Sequence, residues 1–210
     1  MTLLGSRPSR RTVPFGIMRF IALGIALLGI SGCSVALDHS VLESPPHTYS
    51  DPINVSSRSD GIHGRVGWGR ITVFYIPCVP IHIQGDGNEQ VMEQVDAALQ
   101  QAGYKTTVVE TQAPGGAPVL KCKVDTFWFN NYTWLFPFVP TWGNIDMTLS
   151  LVRPGDQVVW VQSFHGDGFS ANFFNGYSSA ANKAMTQVLD EMVRAVASEE
   201  FHDILMQAQT

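Results

Sequence analysis

The sequence predicts an α+β domain: a two-layer sandwich in the order β-α-β-β-β-β-α, with two amphipathic helices on one face of a mostly antiparallel sheet. Three observations predict it. Val91, Met92, Val95, Ala98, Leu99 and Ala102 form one apolar stripe at i, i+3, i+4 spacing. Ala181, Ala184, Met185, Val188, Leu189, Met192, Val193 and Val196 form a second. Between them lie stretches in which apolar and polar residues alternate with period two, the mark of half-buried strands. Two helices and a sheet, each with one apolar side, bury those sides against one another.

The elements follow in chain order. Residues 70–78, RITVFYIPC, are β-branched and aromatic and read as a strand closed by Pro77 and Pro80. A Gly/Asp turn leads to Asn88, which is expected to cap a helix running to Ala102, with Gly103 stopping it. Residues 104–111 read as a second strand and Pro114-Gly115-Gly116 as a turn. In the third strand, 119–129, Leu120, Cys122, Val124 and Trp128 are expected on one face and Lys121, Lys123 and Asp125 on the other. The fourth, 145–152, turns Ile145, Met147, Leu149 and Leu151 inward and Asp146, Thr148 and Ser150 outward. Arg153-Pro154-Gly155-Asp156 is a turn into a fifth strand, 157–169, in which Gly166-Asp167-Gly168 reads as a strand-end turn or bulge. Sequential strands with short links favour a meander. Ser178 or Ser179 caps the long second helix, to about 198, and Phe201, Ile204 and Leu205 suggest a short closing helix.

The N-terminus is a different object. Arg10, Arg11 and Arg19 precede an unbroken apolar and Gly run, FIALGIALLGI, at 20–30. That is the layout of a signal peptide. At 1.5 Å per residue the run spans about 17 Å, short of the ~30 Å hydrocarbon core, which disfavours a permanent transmembrane helix. The junction Leu28-Gly29-Ile30-Ser31-Gly32-Cys33 is similar to the bacterial lipobox: an aliphatic residue, small residues, then Cys. The resemblance implies cleavage after Gly32, acylation of Cys33 with palmitate-type chains, and Cys33 as the first mature residue. Several acyl chains together anchor stably. The competing reading is an ordinary secretory signal or an uncleaved helix with an incidental Cys. Met18 can also serve as the start, with the same mature product. Ser34 after the lipid Cys resembles the outer-membrane sorting default.

This divides the chain into 1–32, a cleaved lipoprotein signal peptide; 33–67, a lipidated N-terminus and flexible tether rich in Ser, Pro, Gly, Asp and His; and 68–210, an α+β periplasmic domain. The division also sharpens the charge. The 210 residues carry a formal net charge of −5, but residues 1–32 hold four Arg and no Asp or Glu. The remainder therefore has nine basic and 18 acidic residues, a formal charge of −9. An acidic chain with scattered Lys and Arg argues against nucleic-acid binding. Its 45% hydrophobic content excludes disorder along the whole chain.

Cys78 and Cys122 remain once Cys33 is lipidated. In an oxidising compartment an even pair reads as a candidate disulfide, closing a loop worth roughly 4 kcal/mol in the chain-entropy picture. The alternative is two buried free thiols. Of the six His, none stands at metal-ligand spacing, so no metal site and no cofactor are expected. Gly85-Asp86-Gly87-Asn88-Glu89 lacks the ligand spacing of a calcium loop. No nucleophile elbow, P-loop or dinucleotide motif occurs. Ser163, His165 and Asp167 alternate on one strand, about 6–7 Å between neighbours, too far apart for a working triad. The chain is read as a non-enzyme.

The unusual stretch is 127–142, FWFNNYTWLFPFVPTW, aromatic and without charge. Three readings compete: a loop that plugs the end of the core, a membrane contact, or a surface for a partner or apolar ligand. Its candidate interaction residues are Phe129, Tyr132, Trp134, Phe136, Phe138 and Trp142.

With the lipobox, the tether, a helix ending Leu99-Gln100-Gln101-Ala102-Gly103-Tyr104, a meander, and a last helix containing Ala184-Met185-Thr186-Gln187-Val188-Leu189, the chain resembles small YajG-like envelope lipoproteins over roughly 70–200. The aromatic stretch departs from that pattern. The resemblance implies outer-membrane residence, a periplasm-facing scaffold or accessory role, and an envelope protein or lipid as partner. It carries over no functional residue except Cys33. The alternative function is a carrier or chaperone that binds an apolar ligand or partner through loop 127–142.

Overall fold

The helices and the long strands follow the sequence pattern closely, whereas Ser34–Val35, Pro52–Ser56 and His82–Ile83 are strands that the pattern did not announce. The computed structural model describes residues 34–35, 49–61, 70–73, 76–80, 82–83, 86–110, 113–132, 140–172 and 176–210. The leader 1–32 and Cys33 lie outside the described residues. The elements are β1 (Ser34–Val35), β2 (Pro52–Ser56), β3 (Arg70–Val73), β4 (Ile76–Pro80), β5 (His82–Ile83), α1 (Gly87–Gln101), β6 (Lys105–Val109), β7 (Val119–Tyr132), β8 (Thr141–Arg153), β9 (Gln157–Ser170), α2 (Gly176–Val196) and α3 (Glu199–Gln209).

The fold class is α+β. The central row of strands is β6-β2-β7-β8-β9, and the chain order along it, with its helices, is β-α-β-β-β-β-α. β7 to β9 form the predicted antiparallel meander. β2 pairs parallel with both β6 and β7, so the sheet is mixed. β7 is long enough to hold two neighbours on one edge: β2 along its first residues and β3 along its last. β3 and β4 form an antiparallel hairpin out of what the sequence suggested was one strand, 70–78.

β2 corrects the tether. Residues 49–60 belong to the domain: Ile53 and Val55 are buried at 2% and 1% exposure, and Tyr49 stacks against Tyr104 and His202. Five residues, PINVS, flanked by Ser and Asp, resemble a linker in composition. Burial of alternate residues between two strands supplied later in the chain makes them a strand. β1 adds a second attachment, with Ser34 paired to His82 and Val35 to Ile83.

The helices cover one face. α1 and α2 contribute Val91, Val95, Leu99, Ala184, Val188 and Met192 to the core, against Leu120, Cys122, Phe127, Ile145, Met147 and Leu149 of the sheet. Asp86, not Asn88, caps α1: its carboxylate accepts from the Asn88 amide at 3.0 Å. Gly103 at φ 99° ends the helix as expected, since a left-handed residue lets the chain leave and return as β6. Ser198 caps α3 through the Phe201 amide, and the Tyr104 hydroxyl donates to the Val196 carbonyl at 2.7 Å.

Gly166 and Gly168 are not a turn. Both lie inside β9, on its core face. A Cβ at Gly166 would stand 2.1 Å from the Ala184 carbonyl oxygen, so these glycines let the α2 backbone lie directly on the strand.

The two ends of the sheet differ. One carries the Arg153-Pro154-Gly155-Asp156 turn and the start of β7. At the other, β7 ends at Tyr132, β8 starts at Thr141, β9 ends at Ser170, and the β3–β4 hairpin turns at Val73 and Ile76.

Candidate functional site

The aromatic stretch 127–142 divides among three environments. β7 extends to Tyr132 and β8 begins at Thr141, so the connection is only 133–140. Trp134, Phe136 and Phe138 lie in it, outside the described residues. Phe127 and Phe129 are fully buried, with ring centroids 5.5 Å apart, and Phe129 meets Tyr177 at 5.4 Å. Phe129 is therefore a core residue and not part of an interaction surface. The cause is a β-bulge between Val124 and Thr126. Asp125 is the extra residue there, and it inverts the alternation of everything after it. Trp128, expected inward with Leu120 and Cys122, moves to the open face, and Phe127 and Phe129 take its place.

Tyr132, the last residue of β7, is paired with Thr72. Trp142 is directly opposite Phe169 on β9. Both are on the sheet face away from the helices, 42% and 57% exposed. Of the proposed surface residues, Trp142 is the one the described structure leaves open to solvent, and Phe169, which the sequence reading did not single out, joins it.

Below this pair the open face turns polar. His165 lies between two carboxylates: Nδ1 is 2.5 Å from Asp146 Oδ1 and Nε2 is 3.2 Å from Asp167 Oδ2. Its hydrogen bond to Asp146, then that to Asp167, raise the imidazole pKa above 6.5. Asn144 donates to Asp146 at 2.8 Å. One step further, Thr148 bonds Asp125 at 2.6 Å and Ser163 at 3.0 Å, and Lys123 pairs with Asp125 at 2.5 Å. Burial pushes the Asp125 pKa up, but the hydrogen bonds from Lys123 and Thr148 outweigh it and hold the carboxyl below its ordinary value.

Ser163, His165 and Asp167 share this face as expected, without a catalytic geometry. The Ser163 hydroxyl is engaged by Thr148, and both imidazole nitrogens face carboxylates. Asp146 completes the cluster, and the signal for it was present. With the turn at 153–156, cross-strand positions on β8 and β9 sum to a nearly constant value, which sets 146 opposite 165.

The disulfide does not form. Cys122 is a free, fully buried thiol in the first half of β7, and burial raises its pKa strongly. Cys78 is in β4, which reaches β7 only through β3 at residues 130–132. Eight or more residues at about 3.3 Å each separate the two levels, far beyond the ~7 Å that a bridge spans.

At the charged end, a groove of about 400 Å3 is lined by Ala113, Gly116, Val152, Arg153 and Pro154, with the Lys121–Asp156 ion pair (3.2 Å) at its side. Among the described residues no group of three or more His, Cys, Asp or Glu side chains could hold a metal ion, and no helix is long and apolar enough to cross a membrane.

No protein-family model matches the chain, and no curated protein matches it. Solved structures do. A Xanthomonas campestris protein of the DUF330 family has a TM-score of 0.55 at 15% identity, covering 79% of this chain and 95% of that one. It shares the fold. PelC from Paraburkholderia phytofirmans, solved as a dodecamer, has a TM-score of 0.38 at 16% identity, covering 70% of this chain and 92% of that one. That score is too low to argue from.

Proposed function

We propose that this protein is a non-catalytic lipoprotein of the bacterial cell envelope. Acyl chains on Cys33 hold it to the outer membrane, and the α+β domain faces the periplasm in a scaffold or accessory role. The observation that carries the reading is the junction Leu28-Gly29-Ile30-Ser31-Gly32-Cys33 behind a basic and apolar leader. The resemblance to YajG-like lipoproteins supports it from the sequence. The fold adds a consistent detail: Ser34, the residue after the acylated Cys, is paired with His82. An anchor there holds the domain near the headgroups.

On this reading the polar cluster around His165 is a structural feature of an open sheet face, in which carboxylates are balanced by His165 and Lys123. Labelling with radioactive palmitate tests the anchor. The intact chain is expected to incorporate label and the Cys33→Ser chain to lose it. Label retained by Cys33→Ser, or absent from both, overturns the reading. Density fractionation of the two membranes then tests the outer-membrane assignment.

A further inference from the structure

The row β6-β2-β7-β8-β9 ends in two edge strands, and they are finished differently. On β9 the edge is closed by side chains of α2. The Asp167 amide donates to Gln187 Oε1 at 2.9 Å, and the Phe169 carbonyl accepts from the Lys183 ammonium at 3.1 Å. Covering an edge in this way keeps it from templating another strand. β6 has no such cover. The Lys105 amide donates to the Asp51 carbonyl, and the Val109 carbonyl accepts from the Ser57 amide, so these residues turn their backbone toward β2. Alternate residues of a strand turn theirs the other way, which sets the amides and carbonyls of Thr106 and Val108 outward. Among the described residues β6 pairs with β2 alone, and nothing bonds those four groups.

The open edge borders a groove of about 320 Å3 between α1, β2 and β6. Val55 and Met92 lie at its base, and Val108, 57% exposed, at its outer side. Glu89, Glu93 and Asp96 form the helix wall, at a spacing that keeps them on one face of α1. Gln100 closes one end, donating to Asp96 Oδ2 at 2.9 Å and to Thr106 Oγ1 at 3.0 Å. Elsewhere carboxylates are matched: Asp86 pairs with Arg58, Asp125 with Lys123 and Asp156 with Lys121. Among the described residues no cation pairs with Glu89, Glu93 or Asp96. Lys105, the basic residue of β6, is on the opposite sheet face, because Val108 shares the helix side with its partner Val55.

We propose that this groove takes an extended, basic segment of a partner protein, which adds to β6 as a further strand of the sheet. The outward amides and carbonyls of Thr106 and Val108 supply the main-chain pairing, as in other sheets that grow by strand addition. Side chains that the added strand turns toward α1 pack on Val108 or, as Lys or Arg, reach Glu89 and Glu93. Charge thus selects the occupant. A second copy of this chain is the disfavoured one, because pairing through β6 would bring two acidic rows together on the same face of the joined sheet. The inference deepens the scaffold reading and rests on it only for there being a partner; it does not depend on the acyl chains.

The test is fluorescence anisotropy of a short labelled peptide that alternates lysine and valine, titrated with the full chain. Wild type is expected to bind it, and added salt to weaken the complex, because the charges involved are exposed. Glu89→Gln/Glu93→Gln is expected to weaken binding about fivefold, the scale of two exposed ion pairs. Val108→Pro removes an amide that faces away from β2, so the strand is expected to stay in place. Binding is expected to fall about fivefold with that one hydrogen bond, while circular dichroism stays that of wild type. Should Val108→Pro unfold, two probes N-methylated on alternate residues ask the same of the wild-type chain, and one of the two is expected to lose affinity. No binding by wild type, binding that neither variant weakens, or affinity that depends on charge but on neither N-methylated probe nor Val108→Pro overturns the proposal. A wild-type dimer that Val108→Pro dissociates also overturns it, in favour of a second copy at the edge. A chain that takes no palmitate but binds the probe would remove the anchor and keep the groove; a labelled chain that does not bind would do the reverse.

Discussion

Gly168 of β9 faces the carbonyl of Ala180 so closely that a Cβ on the glycine would stand 1.9 Å from the Ala180 oxygen. The obstacle is helix backbone, which cannot turn aside as a side chain can. Gly168→Ala is therefore expected to lift α2 from the strand and cost about 1–3 kcal/mol, as overpacked cores do. Urea unfolding followed by circular dichroism measures it. A loss within ~0.5 kcal/mol of wild type, the scatter of harmless surface changes, would mean the helix does not lie on the strand this closely.

Ile53 separates the strand reading of 52–56 from the tether reading. In a flexible linker, Ile53→Ala would be silent. Buried at 2% exposure in β2, it is expected to destabilise by about 2–5 kcal/mol. Thermal unfolding of Ile53→Ala beside Pro52→Ala, an exposed neighbour in the same strand, reads the difference.

His165 is expected to titrate above 6.5 in the folded protein, because hydrogen bonds to Asp146 and Asp167 favour its charged form. The sign follows from the raised pKa. Its stabilising contribution is complete below the unfolded value near 6.5 and disappears as pH rises through the folded one. The site is open to solvent, so the clearest measurement is the imidazole NMR titration itself. Asp146→Asn is expected to bring the midpoint down. A midpoint that Asp146→Asn leaves in place would show that the 2.5 Å contact does not hold in solution.

Cys122 is expected to resist maleimide in the native protein and to react once unfolded, since a buried thiol with a raised pKa presents little thiolate. Oxidised and reduced samples should migrate alike on a denaturing gel. A mobility shift on reduction that is absent from Cys122→Ser would restore the Cys78–Cys122 bridge.

Much of the fold was legible because it rests on local periodicity. The stripes of α1 and α2, the alternation of β8, and the stop at Gly103 are all short-range signals. What escaped was long-range or came from one residue. β2 is five residues long, and only β6 and β7, some fifty residues or more away, make it a strand. Asp125 looks like one more outward residue, yet as a bulge it exchanges Trp128 for Phe127 and Phe129. Gly166 and Gly168 read as a turn because glycine's usual meaning in sequence is conformational, whereas here it is close approach of a helix. The aromatic stretch drew notice by composition, but composition alone could not divide it between core and surface.

The place of β2 also sets the order of events in a chain that is made from its N-terminus. Val55 pairs with Val108 and Leu120. The first strand of the central sheet thus has no partner until more than fifty further residues have arrived. Contacts of such sequence separation form late and slowly. β2 therefore stays unpaired while the chain between it and β6 and β7 is made, and the sheet closes over it afterwards. A central sheet whose first strand lies in its interior cannot close before its later strands have been made.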